Sequence, residues 1–293
     1  MNAVEGRVAA GWERHLSILR DLLQAGLHSA AQALPPVGVR MESGLIYPRL
    51  VLDPLSQLDD LSLLVREGSQ VADAAGHRRQ VYPALLAYCW AQSIHIARHA
   101  HRDSELVDWT AGLIRLADQF SLPAFPTHVD AAHGTEVAVT LWSALALDRI
   151  EALRAKSDAG RLVTISNCFG SIISAQKADG SFLGADPSAG PETTGFDELT
   201  ILHALSSYAV TAGRKKFVRA VERAAIIHQE QTQPDHVTTQ PWALLAFCWN
   251  PGTQPLAEQV LHSASIAISG AVNGVSLMLL ADALYGLRQL AER

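Results

Sequence analysis

The stretch Ala175-Gln176-Lys177-Ala178-Asp179-Gly180-Ser181-Phe182 decides the fold, because it ends a helix abruptly and sends the chain into another. Gly180 can take the left-handed conformation that closes a helix, and Phe182 can then fold back over the helix end. The Gln176 side chain can hydrogen-bond backbone groups there and reach amides at the start of the next helix. The stretch therefore predicts a tight connection between two helices.

Helical spacing of apolar residues continues on both sides of this connection, and no run alternates as a strand does. The chain is therefore predicted to be all-α. The pattern predicts about eleven helices, at residues 7–34, 55–75, 80–98, 104–120, 135–150, 159–177, 196–211, 214–231, 239–249, 255–269 and 274–291.

Two kinds of helix alternate along the chain. The helices starting near residues 80, 135, 196, 239 and 274 are apolar almost all round, and such helices must be buried. Those between them carry one charged face and are expected to be half-exposed. A repeated sequence supports a repeated structural unit, since the stretch at 84–90 recurs at 243–249 with six of seven positions identical. Alternation of this kind predicts an inner ring of helices wrapped by an outer ring.

The 175–182 stretch resembles the Gln-to-aromatic repeat of the squalene-hopene cyclase and protein prenyltransferase superfamily. The resemblance extends over residues 162–208, with one clear copy of the repeat. It implies an α/α toroid of about six helical hairpins, of the terpenoid cyclase type, in which the repeat has a structural role. The Asp-x-Asp-Asp acid signature of the cyclases is absent, and so are recognisable zinc ligands of the prenyltransferases. Neither activity therefore transfers residue by residue.

Composition limits the class of protein and its partners. The chain has 293 residues with no linker-like stretch, so a single domain over residues 1–293 is expected. A formal net charge of −6 argues against nucleic acid as a partner. No stretch is apolar enough for a membrane span, and the three isolated cysteines suit core packing in a reducing compartment. We therefore expect a cytoplasmic protein.

The candidate catalytic residues lie at the predicted starts of buried helices. In a toroid these starts surround one mouth of the central cavity, where acids and a base can meet. Asp197 or Glu198 is the predicted proton donor, His133 the base and Glu136 its partner. The alternative for each acid is helix capping or a favourable position in a first turn.

The candidate substrate-binding residues are aromatic or polar side chains on the same helices or just before them. Tyr82, Trp142 and Trp242 would form an apolar wall, and His203, His236 and Gln240 would supply polar contacts. The alternative for the aromatic side chains is ordinary core packing. His128, Asp130 and His133 form a short cluster without the spacing of a metal site, so neither a metal nor another cofactor is expected.

The predicted function is that of a small-molecule enzyme acting on a hydrophobic or isoprenoid-like substrate by acid/base chemistry in the toroid cavity. Two alternatives stay open. The first is a carbohydrate-active α/α toroid, either a lyase, a hydrolase or an epimerase, with a carboxylate pair at the scissile bond. The second is a non-catalytic toroid that binds a ligand.

Overall fold

The computed structural model of the protein describes residues 14, 15, 17–19, 21, 22 and 25, residues 110, 111, 114, 117 and 118, and the ranges 121–184, 191–230, 241–270 and 274–291. Seven α-helices fall in these four ranges, and no described residue lies in a strand. They are α1 (Gly134–Leu153), α2 (Ala159–Ala175), α3 (Pro191–Ala212), α4 (Lys215–Glu230), α5 (Leu244–Trp249), α6 (Gln254–Gly270) and α7 (Gly274–Ala291). The all-α prediction is confirmed for this part of the chain.

The chain divides into two compact units. One comprises Met1–Val37, Asp130–Ala132 and Ala175–Arg293, and the other comprises Gly38–Val129 and His133–Ser174. We call them the C-terminal unit and the middle unit. The C-terminal unit holds helices α3 to α7, and the middle unit holds α1 and nearly all of α2.

Buried and half-exposed helices alternate as the sequence predicts. Fifteen of the 20 residues of α1 are buried, whereas α2 buries only Ile165, Cys168, Phe169 and Ile172. Helix α3 is buried from residue 197 to residue 210, while α4 exposes its charged side. The same contrast separates α5 from α6, because all six residues of α5 are buried. Apolar residues on every side of a helix thus correctly indicated burial.

Helix α5 lies at the centre of the C-terminal unit, where it packs against α3, α4, α6 and α7. Its sequence, Leu-Leu-Ala-Phe-Cys-Trp, offers only apolar side chains to these neighbours. The turn after it is held by Thr253, whose hydroxyl donates to the Phe247 carbonyl at 2.9 Å. Asn250 ties the same turn to α4, since its amide nitrogen donates to the Glu222 carbonyl at 3.0 Å.

The predicted helix boundaries are wrong at two buried helices. Helix α3 begins at Pro191 rather than at residue 196, because a proline suits a first turn, where its missing N–H has no partner to lose. Helix α5 begins at Leu244 rather than at residue 239, because Ala243 has a φ of 54° and so interrupts the helix. The predicted helices 7–34, 55–75, 80–98 and 104–120 lie outside the described residues, apart from isolated helical positions.

A buried carboxylate joins α1 to α2 in the middle unit. Glu151 is fully buried, and its Oε1 lies 2.8 Å from Arg154 Nε and 2.6 Å from Arg161 Nη1. Its Oε2 accepts the backbone N–H of Asp158 at 2.9 Å. Because a buried charge is tolerated only when it is paired, this arrangement holds the connection between the two helices.

Candidate functional site

The predicted connection after α2 forms as a turn held by Gln176 and Gly180. Gly180 has a φ of 101°, as a helix-closing glycine should. Gln176 Nε2 donates to the Gly180 carbonyl and to the Ala220 carbonyl of α4, each at 2.9 Å. The prediction that Gln176 bonds backbone groups of the turn is confirmed, and its amide nitrogen also reaches a carbonyl of α4. Its contact with amides at the start of the next helix stays a prediction.

The amides of this turn are instead bound by Glu198, near the start of α3. Oε1 of Glu198 accepts the N–H of Phe182 at 2.9 Å and the N–H of Leu183 at 2.6 Å, and Oε2 lies 3.1 Å from the Phe182 nitrogen. From the far side Lys177 Nζ donates to the Leu183 carbonyl at 2.7 Å. Glu198 therefore anchors the turn to α3, which is the geometry of a structural carboxyl group.

Burial raises the pKa of Glu198 to about 7, although hydrogen bonds from the backbone N–H groups of Leu183, Phe182 and Gly184 act in the opposite direction. The loss of hydration in the interior outweighs these bonds. Folding thus favours the protonated carboxyl, whose contribution to stability is lost as the pH rises from the ordinary glutamate range through 7.

We expect the free energy of unfolding to fall between about pH 5 and pH 8, by at most about 3 kcal/mol for this one group. A Glu198→Gln variant should lose this fall, because its amide oxygen accepts the same N–H groups without ionising. Urea unfolding at a series of pH values measures the effect, with Glu136→Gln as an exposed control that keeps the wild-type slope. An unchanged slope in Glu198→Gln would contradict the assignment.

A second polar group lies deep in the C-terminal unit and joins α3 to α7. His203 Nε2 lies 3.0 Å from Asp282 Oδ2, and the Ser207 hydroxyl donates to the same oxygen. All three side chains are buried, with exposed fractions of 0% for His203, 2% for Ser207 and 4% for Asp282. We call these three residues the polar cluster.

The backbone before α5 completes the polar cluster. The N–H of Ala243 donates to His203 Nδ1 at 3.1 Å. That nitrogen must therefore carry a lone pair, and Nε2 carries the hydrogen that points to Asp282. Ala243 makes this bond from a left-handed conformation that a residue with a Cβ seldom adopts. Strained backbone of this kind is concentrated at functional sites.

Two aromatic side chains form a chain of ring contacts that ends at the polar cluster. The Trp242 ring meets the His203 ring edge-on, with centroids 5.9 Å apart, and meets Phe196 in the same way at 5.6 Å. Trp242 is 1% exposed, whereas Phe196 is half-buried near the start of α3. The contacts thus run from a partly exposed ring to a buried imidazole and carboxyl pair, an arrangement suited to proton transfer beside an apolar surface.

The four predicted catalytic residues are placed as two separate pairs. His133 and Glu136 belong to the middle unit, where His133 is half-buried with its ring centroid 6.3 Å from that of His128 and Glu136 is exposed. Asp197 and Glu198 belong to the C-terminal unit, and both are buried. Their joint role in acid/base chemistry stays a prediction.

Of the predicted substrate-binding residues, the structure brings Trp242 and His203 together. Trp142 is fully buried in α1 of the middle unit. Tyr82, His236 and Gln240 lie outside the described residues.

Sequence reasoning missed Ser207 and Asp282. One signal for Ser207 is its position four residues after His203, which places both on one face of a buried helix. The signal for Asp282 is that it is the sole acid in the apolar stretch of α7.

The described part of the chain holds no group of three or more His, Cys, Asp or Glu side chains arranged to bind a metal ion. None of its helices is long and apolar enough to cross a membrane. Comparisons of the whole chain with protein-family models, with curated proteins and with solved structures find no match.

Proposed function

We propose that this protein is a small-molecule enzyme of α/α-toroid type that acts on an apolar, isoprenoid-like substrate by acid/base chemistry. The observation that carries the proposal is the buried polar cluster beside Trp242, with strained backbone at Ala243. His203 and Asp282 are the proposed acid/base pair, and Trp242 with Phe196 is the proposed apolar wall.

The chemistry of the polar cluster supports a proton-transfer role. Asp282 accepts bonds from both His203 and Ser207, so its carboxylate orients the imidazole and the hydroxyl that would take part in proton transfer. Donating a proton to one carbon and removing one from a neighbouring carbon isomerises or cyclises an alkene without a redox partner. Burying this step away from water protects a cationic intermediate, and aromatic rings stabilise such a charge.

The toroid is proposed on the alternation of buried and half-exposed helices and on the turn at Gln176. Both features belong to the superfamily that the sequence resembles. The central position of α5, packed by four other helices, agrees with an inner helix.

The direct test uses farnesol, a neutral isoprenoid alcohol, incubated with the protein in heavy water. Acid/base chemistry at an alkene carries solvent deuterium into the product, so we expect deuterated farnesol isomers or cyclised products by mass spectrometry. Asp282→Asn should abolish the incorporation. Absence of incorporation and of farnesol binding in the wild type would refute the proposal.

Two neighbouring serines supply a matched control. Ser207 donates across to Asp282, whereas the Ser206 hydroxyl donates to the His203 carbonyl within its own helix at 2.8 Å. Both serines are buried, and either change to Ala removes one hydroxyl group from the interior. We expect Ser207→Ala to lower the rate of incorporation by about ten-fold or more, since the acid/base pair loses a bond to its charged member. Ser206→Ala should keep most of the rate.

A second candidate function is ligand binding without catalysis. It is favoured by the two ring nitrogens of His203, which are both engaged, one by a backbone amide and the other by Asp282. Farnesol that raises the melting temperature without taking up deuterium would favour this candidate. Cleavage or epimerisation of a disaccharide such as lactose would favour the carbohydrate alternative.

A further inference from the structure

One side of α4 carries a run of exposed cations. Lys215, Lys216, Arg219 and Arg223 are all exposed, and at 100° per residue they share an arc of about 100° on the helix surface. We call these four residues the basic stripe. The exposed Ile226, one turn beyond, lies on the same arc with 42% of its surface accessible. The basic stripe is about 12 Å long, and the distance along the helix from residue 215 to Ile226 is about 16 Å.

The opposite side of α4 is buried in the core. Phe217, Ala220, Val221, Ala224 and Ala225 are buried there, and α4 packs against α3 and α5. The basic stripe is therefore held in place by the fold. Arg223 is fixed further, because its Nη2 donates to the Lys177 carbonyl at 2.7 Å.

The basic stripe is positively charged, whereas the chain as a whole is negatively charged. Residues 214–223 hold five cations and one acid, Glu222, in a chain whose formal net charge is −6. The rest of the sequence therefore carries −10. Glu222 lies at the edge of the stripe and is half-buried. Burial raises the pKa of its carboxyl group, although the positive charge of Arg219 acts in the opposite direction. A negatively charged surface would attract this one side of α4 and repel the remainder of the molecule.

We infer that the basic stripe is a docking surface for an anionic lipid bilayer. A straight convex helix presenting cations over about 12 Å can lie along a flat charged plane. Arg223 and Lys216 also contact the protein, the first at the Lys177 carbonyl and the second over the Phe217 ring. Long Lys and Arg side chains can lie along the headgroups, and Ile226 adds an apolar contact at the headgroup boundary. The inference stands on α4 alone and does not depend on the proposed catalytic activity.

The shape of the surface favours a bilayer over an acidic peptide. Peptide ligands are ordinarily held in grooves or added to sheet edges, and α4 is a convex helix. Stripe-dependent binding of a DNA duplex without vesicle binding would overturn the inference and would indicate nucleic acid instead.

Vesicle sedimentation tests the inference on the full chain. Wild-type protein should sediment with vesicles that mix phosphatidylcholine and phosphatidylglycerol and stay in solution with phosphatidylcholine alone. Raising the salt concentration to about 1 M shortens the Debye screening length to about 3 Å and should release the protein from the vesicles. A Lys215→Gln/Arg219→Gln variant should partition about 25-fold more weakly, since each cation contributes about five-fold.

Two matched controls separate docking from general charge effects. Lys156→Gln/Arg288→Gln removes one exposed Lys from the connection between α1 and α2 and one exposed Arg from α7, and it should leave partitioning within about two-fold. Ile226→Ser should weaken partitioning, whereas Ile266→Ser, which changes an isoleucine of α6 that is 62% exposed, should not.

The inference is overturned if the wild type does not sediment with the anionic vesicles, or if both double variants lose partitioning equally. Stripe-dependent binding of soluble poly-glutamate without vesicle binding would also overturn it and would indicate an acidic protein partner. Because farnesol turnover is measured without lipid, a negative result in either experiment leaves the other unaffected.

Discussion

Replacing Gly180 by alanine is expected to destabilise the protein by about 3 kcal/mol, combining an unfavourable φ with a steric overlap. At a φ of 101° a Cβ atom is strained in any surroundings. Here it would also lie 2.8 Å from the backbone oxygen of Arg223, which belongs to α4 and cannot move without shifting that helix. Urea unfolding followed by circular dichroism measures the loss.

Gly170 provides the matched control for this change. It lies within α2, and an added Cβ at this position would meet no atom within 4 Å beyond its chain neighbours and the backbone of its own helix. Alanine there should stabilise the protein by about 0.5 to 1 kcal/mol, because glycine in a helix loses more backbone freedom on folding. The same substitution is thus expected to have opposite signs at the two sites. Equal effects at both would show that the turn at Gly180 is not as tight as described.

The second large effect is expected at Asp282. Truncation to alanine leaves the buried His203 and Ser207 without their shared acceptor, and removing one partner from such a group costs about 3 to 5 kcal/mol. Asp282→Asn keeps one oxygen acceptor and the side-chain volume, so it should cost about 1 to 2 kcal/mol. Urea unfolding at neutral pH tests the ranking.

The Asp282 result also separates structure from catalysis. Asp282→Asn should keep a cooperative unfolding transition while abolishing deuterium incorporation into farnesol, since it retains the contacts and removes the negative charge. If Asp282→Ala unfolds with wild-type stability, the polar cluster is not buried as described and the site proposal loses its basis.

Apolar periodicity was sufficient to identify the described helices and to separate the buried from the half-exposed ones. This worked for α1 and α5 because a helix with apolar side chains on every side has no stable place outside a core. It also worked for α4, whose charged residues all lie on one arc. The starts of α3 and α5 were misplaced because they depend on Pro191 and on the left-handed Ala243, which change the apolar pattern little.

The site was harder to predict than the helices. His203 and Trp242 were chosen from the sequence because a polar or large aromatic side chain in a buried helix needs an explanation. Their partner Asp282 lies 79 residues from His203, and no local pattern connects the two. The role of Glu198 was also hidden, because its carboxyl group binds backbone amides of residues 182 and 183, and backbone amides are the same in every sequence.

The sequence by itself determined that this protein is helical, which helices are buried, and that Gly180 closes a turn after α2. Each of these follows from properties of neighbouring residues, namely helical spacing, side-chain polarity and the freedom of glycine. Only the tertiary structure decided that Gln176 binds α4, that Glu198 anchors the turn, and that His203 meets Asp282. These are contacts between residues distant in the chain, and packing rather than local preference brings such residues together.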